Sequence, residues 1–99
     1  MVENMIGKYV IVRSYGAGVF AGVLVEKEGT EVVLANCRRL WYWSGAASIS
    51  QLAVDGTKRP DGCKFTKTVD EIYISGVLEI IPTTEQAEKS IKDVNVWQI

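Results

Sequence analysis

The 99-residue sequence contains no histidine and only two cysteines. Without histidine, the chain cannot use a histidine general base, a Ser-His or Cys-His nucleophile, or a histidine-ligated metal. Neither Cys37 nor Cys63 belongs to a CxxC motif, the usual sign of zinc binding or thiol redox chemistry. We therefore expect Cys37 to pack in the core. The composition predicts a binding protein rather than an enzyme, with no metal site and no cofactor.

Long hydrophobic runs are also missing. The apolar segment nearest the N-terminus, residues 9–12, is far shorter than a secretory signal requires. No run reaches the roughly 18 apolar residues of a membrane span. The composition is nevertheless that of a globular chain, with 47% hydrophobic and 23% charged residues. We therefore expect a reduced, cytoplasmic protein with one domain, residues 1–99, and no membrane partner.

Positive charge is concentrated in the middle of an otherwise acidic chain. Residues 38–67 carry six Lys or Arg against two Asp, and the segments on either side carry more acidic than basic residues. The formal net charge is −1, whereas duplex DNA or long RNA is usually bound by a strongly basic domain. The distribution favours a small anion such as a nucleotide over duplex DNA. A solvated basic surface without a specific ligand is the alternative.

The sequence pattern predicts strands followed by helices. Runs rich in β-branched and aromatic residues predict strands at 8–15, 19–26, 31–43, 64–68, 71–75 and 77–81. Ser48 with Gln51 is a capping box for a short helix at 49–54, and Thr83 with Gln86 predicts a second box for a C-terminal helix. We expect an α+β, mostly β fold. It is an antiparallel sheet or small SH3-like barrel of five to six strands, with one short inserted helix and a C-terminal helix.

The most informative stretch, residues 38–50, combines arginines with aromatic rings. Stacking of a base on an aromatic ring contributes about 1 to 3 kcal/mol, and the guanidinium fork suits phosphate. On a regular strand spanning residues 31–43, Arg39, Trp41 and Trp43 share one face and Arg38 lies on the other. The pattern predicts a site for a nucleobase and its phosphate.

The start of the short helix adds a second feature, and the aromatic block has two further interpretations. Ser48 would offer an anion a hydroxyl and unpaired backbone N–H groups. Trp41 and Trp43 are also candidates for the core, or for the centre of a dimer interface, where Trp, Tyr and Arg are common. A ligand bound between two copies would combine these interpretations. Self-association is favoured because a domain this small has little core to spare for a pocket.

Several segments of the chain resemble a small family of phage and prophage proteins. They are YVIVRSYGAGVFAG at residues 9–22, NCRRLWYW at 36–43, SISQLA at 48–53, CKF at 63–65 and EIIPTTE at 79–85. The resemblance covers nearly the whole chain. The family is associated with anti-CBASS nucleotide sponges, which bind the cyclic dinucleotide signals of bacterial immunity and hold them without cleaving them.

The resemblance implies a homo-oligomer in the host bacterial cytosol that sequesters a cyclic dinucleotide or a related nucleotide second messenger. It implies ligand contacts in the hairpin and in the aromatic block, at Arg13, Tyr15, Ala17, Arg38, Arg39, Trp41, Trp43, Ser48 and Ser50. The alternative hypothesis is a small β-barrel interaction module that binds a protein or RNA through the aromatic block. An enzyme acting through carboxylates and a metal is the third and least supported hypothesis.

Overall fold

The computed structural model describes residues 2–99 and shows an α+β fold made mostly of strands. The strands are β1 (Tyr9–Ser14), β2 (Gly18–Glu28), β3 (Glu31–Tyr42), β4 (Lys64–Phe65), β5 (Val69–Ile74) and β6 (Val77–Pro82), and the helices are α1 (Ile49–Asp55) and α2 (Glu85–Asp93). Short 3-10 helices cover Val2–Met5 and Pro60–Gly62. The predicted fold class, with six strands, an inserted helix and a C-terminal helix, is confirmed.

The six strands form one curled antiparallel sheet. The order is β4-β3-β2-β1-β6, and β5 pairs with the first part of β3 while β4 pairs with its end. Strand β5 pairs with β3 and strand β6 pairs with β1, so the two lie on opposite sides of the sheet. Only Ser75 and Gly76 separate them in sequence. Tyr15 N donates to Gly76 O at 2.8 Å, and Val77 N donates to Thr30 O at 2.9 Å. The sheet therefore curls until its two sides meet.

Hydrophobic residues cover both faces of the sheet. The inner core, inside the curl, consists of strand residues: Val10, Val12, Phe20, Leu24, Val32, Leu34, Cys37 and Ile74. The outer core packs α1 and α2 against the other face and contains Tyr9, Ile11, Ala21, Leu40, Leu52, Ala53, Cys63, Phe65, Ile91 and Val94. Strand β1 contributes alternate residues to both cores, which explains its continuous apolar run. Burial raises the pKa of the Cys37 thiol to about 12, and the predicted core position of Cys37 is confirmed.

A β-bulge in β3 changes which side chains share a face. Asn36 has a φ of 48°, and the register between β2 and β3 shifts at this point. Because of the extra residue, Leu34 and Cys37 both enter the inner core. The strict alternation predicted for residues 31–43 is therefore wrong across Asn36. Alternation resumes at Arg38, which lies on the outer side.

Helix α2 begins one residue later than the predicted capping box. The N-cap is Thr84, whose Oγ1 accepts a hydrogen bond from Ala87 N at 3.0 Å. Thr83 instead donates from Oγ1 to Tyr9 O at 2.7 Å. The predicted box was wrong because the chain leaving β6 still lies beside β1, whose carbonyl takes the Thr83 hydroxyl.

Arg38 is the one charged side chain buried within residues 2–99, with 3% of its surface exposed. Its Nη1 donates to Ile91 O at 3.0 Å and Val94 O at 2.9 Å, its Nη2 to Phe65 O at 3.1 Å, and its Nε to Thr66 O at 3.0 Å. Ile91 lies in the last turn of α2, where carbonyl groups carry partial negative charge. Burial lowers the pKa of the guanidinium, and the four carbonyls offset this cost. The bonds tie β3 to β4 and to the end of α2.

Replacing Arg38 with Met should destabilise the fold by about 3 kcal/mol or more, because each buried polar group left without a partner costs about 1 to 3 kcal/mol. Each kcal/mol lowers the Tm of a domain this size by about 4 to 8 °C. Arg39→Met is the matched control and should cost less than about 1 kcal/mol, since its guanidinium is exposed. Chemical denaturation measures both variants. Equal losses would contradict the structural role of Arg38.

Candidate functional site

The turn between β1 and β2 faces the end of β3 across a groove of about 380 Å³, the aromatic groove. Its lining residues are Gly16, Ala17, Gly18, Val19, Arg39, Leu40, Trp41 and Trp43. This volume is at the lower end of the roughly 300 to 1,000 Å³ of small-molecule pockets. The fold thus brings the hairpin and the aromatic block together, the two segments in which ligand contacts were predicted.

The hairpin turn presents backbone rather than side chains at two positions. Gly16 and Gly18 have φ values of 84° and 103°, in the region that favours glycine. No heavy atom lies within 4 Å of a Cβ built at either glycine. A ligand in the aromatic groove can therefore approach the peptide groups of this turn closely.

Arg39 supplies the positive charge of the aromatic groove. Its guanidinium lies over the Phe20 ring, with the central carbon 4.8 Å from the ring centroid. Arg39 N donates to Thr66 Oγ1 at 2.9 Å, which fixes the backbone from the β4 side. None of the ion pairs found within residues 2–99 involves Arg39. An exposed, oriented guanidinium of this kind can hold phosphate through two parallel N–H···O bonds.

The two tryptophans of the groove differ in burial. Trp41 is 60% exposed, so its ring is available to a ligand and it is not a core residue. Trp43 is half-buried and packs against the outer core, as Ala46 and Ile49 do. Trp43 therefore lines the groove, as predicted, and also packs partly against the core, which was the alternative interpretation. Its ring forms one wall of the groove.

Arg13 and Tyr15 do not line the aromatic groove, although the resemblance implied that they contact a ligand. Arg13 lies opposite Val19 in the β1–β2 register, but its Nε donates to Glu79 Oε1 at 2.9 Å. Tyr15 is 82% exposed at the tip of the hairpin. Both are accessible, and both remain candidate contacts for a ligand or second copy that extends beyond the groove.

Arg38 is placed away from the groove, in contrast to the prediction. The bulge at Asn36 turns Arg38 toward α2 and β4, where two backbone carbonyls at the end of α2 and two at the end of β4 use four of its five N–H groups. The structure leaves its guanidinium inaccessible to a ligand, so the candidate site does not include it.

Ser48 and Ser50 lie at the start of α1 and do not line the aromatic groove. Ser48 is the N-cap, and its Oγ accepts a hydrogen bond from Gln51 N at 3.1 Å. Gln51 Oε1 in turn accepts from Ala47 N at 2.7 Å. The polar groups at this helix start therefore satisfy one another, which confirms the predicted cap and leaves less for an anion.

The cap role predicts that Ser48→Ala lowers stability by about 1 kcal/mol, because an orphan N–H of α1 loses its acceptor. Ser50→Ala is the matched control: Ser50 is also exposed but lies inside the helix, so the change should stay within about 0.5 kcal/mol. Thermal unfolding followed by circular dichroism measures the difference. A Ser48 variant as stable as the Ser50 variant would contradict the cap role.

Sequence reasoning missed Trp97, which packs against Trp41 with 5.3 Å between ring centroids. Lys64 Nζ lies 5.5 Å from the centroids of both rings. Val96 forms a parallel bridge with Phe65, and Trp97 N donates to Phe65 O at 2.9 Å. The contact joins residues far apart in the sequence. The only local signal was an aromatic residue in a polar segment after the last helix.

A second groove, of about 220 Å³, lies near the start of β3. It is lined by Glu26, Glu28, Glu31, Val32, Val33, Tyr73, Ile74 and Ser75. A hydrogen bond with Glu71 raises the pKa of Tyr73. The concentration of carboxylates makes this groove unsuitable for an anion, so the aromatic groove is the better candidate for the predicted ligand.

These features define a small, mostly β protein whose surface groove combines aromatic rings with an exposed arginine. The family model for the domain of unknown function DUF6948 matches residues 7–91. The chain belongs to this family. Comparison with the curated proteins found no match.

Two further observations concern the part of the chain from residue 2 to residue 99. No group of three or more His, Cys, Asp or Glu side chains in it is arranged to hold a metal ion. None of its helices has the length and apolar character needed to cross a membrane.

Proposed function

We propose that this protein binds a cyclic dinucleotide or a related nucleotide second messenger in the aromatic groove and sequesters it without cleaving it. The observation that carries the proposal is the placement of Arg39, exposed and oriented by the Phe20 ring, beside Trp41 and opposite the glycine-rich turn. Phosphate and base recognition require these groups next to one another. The aromatic groove provides them on one surface.

The phosphate contact would involve Arg39 and the turn. The guanidinium offers forked donors, and the Phe20 ring beneath it limits its orientations, so that less side-chain entropy is lost on binding. The turn offers peptide groups at Gly16 and Gly18 without intervening side chains. A charge-assisted hydrogen bond of this type contributes about 1.5 to 3 kcal/mol.

The base contact would involve Trp41, whose exposed ring can stack on a purine or pyrimidine. Such a stack contributes about 1 to 3 kcal/mol and tolerates different bases. One stack and one phosphate contact fall short of the roughly 8 kcal/mol of a micromolar complex. Further contacts are needed, and either a second copy of the chain or the surface beside the aromatic groove can supply them. A symmetric dimer would suit a cyclic dinucleotide, which itself has two-fold character.

The residues that line the aromatic groove support the proposal that the ligand is sequestered rather than cleaved. Within residues 2–99, the lining of the groove includes no carboxylate and no thiol, so a ligand held there would contact none of the usual side chains for general acid–base catalysis. A bound nucleotide would be held unchanged. As the resemblance implies, the setting we propose is the host bacterial cytosol, where removal of the signal would suppress anti-phage defence.

The second candidate function is a module that binds a protein or RNA, and the exposure of Tyr15 and Trp41 favours it. Tyr, Trp and Arg are the residues that most often dominate binding at protein interfaces. Recovery of a stoichiometric partner from host lysate, with and without nuclease, together with no response to nucleotides, would support this candidate in place of the first.

A thermal-shift screen tests the proposed function. The panel contains linear and cyclic mono-, di- and trinucleotides and ADP-ribose derivatives. A ligand at about 1,000 times its Kd should raise the Tm by about 15 °C or more. We expect a large shift with one cyclic nucleotide, little with its linear form, and recovery of the intact nucleotide after incubation with Mg²⁺ or Mn²⁺. No shift across the panel would refute nucleotide binding.

Variants of the groove residues locate the site. Arg39→Ala should weaken binding of the active nucleotide about 10-fold or more, and Trp41→Ala about 5- to 150-fold. Lys27→Ala is the control, because Lys27 lies at the far end of β2 and donates to Gly29 O. Calorimetric titration measures each Kd, and Tm values confirm that the variants fold. Unchanged affinity in both groove variants would rule out the aromatic groove as the site.

A further inference from the structure

The C-terminal residues 95–99 lie outside the segment that the family model matches, which ends at residue 91. Val96 forms an isolated parallel bridge with Phe65, and Trp97 N donates to Phe65 O, so these two residues lie beside β4. The direct result is that Trp97 lies on the same surface as the end of β3.

Trp41 and Trp97 form an exposed pair of rings. Their planes are tilted by 32° with 5.3 Å between centroids, so the two rings touch and no base fits between them. Trp41 is 60% exposed and Trp97 is 45% exposed. Each ring therefore keeps a large surface in contact with solvent, where a flat ligand can stack on it.

Lys64 provides positive charge at this pair. Its Nζ lies 5.5 Å from both ring centroids, within the range of a cation–π interaction. Among the ion pairs found within residues 2–99, none involves Lys64. The cation is held beside two aromatic faces and is available to an anion.

The tryptophan pair is continuous with the aromatic groove because Trp41 belongs to both. The groove, with about 380 Å³, is at the small end for a ligand site, so a dinucleotide would extend beyond it. The neighbouring surface in the direction of Trp41 consists of a second tryptophan and a lysine. These are the groups that a second base and its phosphate require.

We propose that Trp97 and Lys64 form a second base-stacking subsite, which makes this chain's site suited to nucleotides that carry two bases. One base lies in the aromatic groove, the second stacks on Trp97, and Lys64 neutralises a phosphate that joins them. This inference rests on the proposed function. It assigns a ligand-binding role to a segment that the family model does not include.

The test compares ligands with one base and two bases on three variants. The probes are 3′,3′-cyclic di-AMP, cyclic di-GMP and cyclic GMP-AMP, each beside its mononucleotides. For the cyclic dinucleotide that binds, Trp97→Ala should weaken binding about 5- to 150-fold, the effect of losing one base–aromatic stack. Affinity for the mononucleotide should change less than about two-fold. Trp97→Phe, which keeps an aromatic face, should restore most of the lost affinity.

Tyr73→Ala is the matched control, because Tyr73 is 75% exposed on β5, which pairs with the first part of β3. It should leave both affinities unchanged, and Tm values check that all variants fold. Unchanged dinucleotide binding in Trp97→Ala, or an equal loss for the mononucleotide, would overturn the subsite while leaving the proposed function intact. Failure of all three cyclic dinucleotides to bind the unaltered protein would overturn the subsite, whereas the proposed function as a whole is refuted by the absence of a thermal shift across the wider nucleotide panel.

Discussion

The guanidinium of Arg38 holds together the elements on which the candidate site depends. Its bonds to the carbonyls of Phe65 and Thr66 attach β4 to the end of β3, and its bonds to Ile91 and Val94 attach the end of α2. A buried arginine costs free energy unless its donors are satisfied. Here backbone carbonyls at the end of a helix and along an adjacent strand provide the acceptors. The C-terminal segment that carries Trp97 leaves directly from this anchored point.

The division of roles between two adjacent arginines depends on the bulge at Asn36. Val32 and Leu34 point into the inner core, and strict alternation from them would bury Arg38 there. The extra residue changes which face of the sheet each later side chain occupies. Arg38 therefore contacts the end of α2, and Arg39 lies over the Phe20 ring. Gly22 stands opposite the bulge, where a Cβ would lie 3.0 Å from backbone atoms of β3. The close approach of β2 and β3 at this point therefore requires glycine.

Features that depend on neighbouring residues were predicted from the sequence more accurately than features that depend on long-range contacts. Strand positions, the Ser48 cap and the burial of Cys37 were predictable, because residue type and spacing within a few positions decide them. Part of the site was predictable as well, since Arg39, Trp41 and Trp43 do share the groove. Arg38 was assigned to the site because it lies in the arginine–aromatic block and because the resemblance implied a contact there, whereas the bulge at Asn36 turns its side chain toward the end of α2.

The fold class and the chemical character of the candidate site can be predicted from short segments, because β-branched runs, glycine turns and neighbouring arginines and tryptophans lie within them. Which of these groups meet depends on long-range contacts. The curl brings the β1–β2 turn to the end of β3, and the bridge between Val96 and Phe65 places Trp97 beside Trp41. Such contacts join residues that are far apart in the chain. They depend on the bulge, the strand register and the hydrogen bonds of one buried arginine. For none of these does a local sequence pattern specify which residues will be in contact.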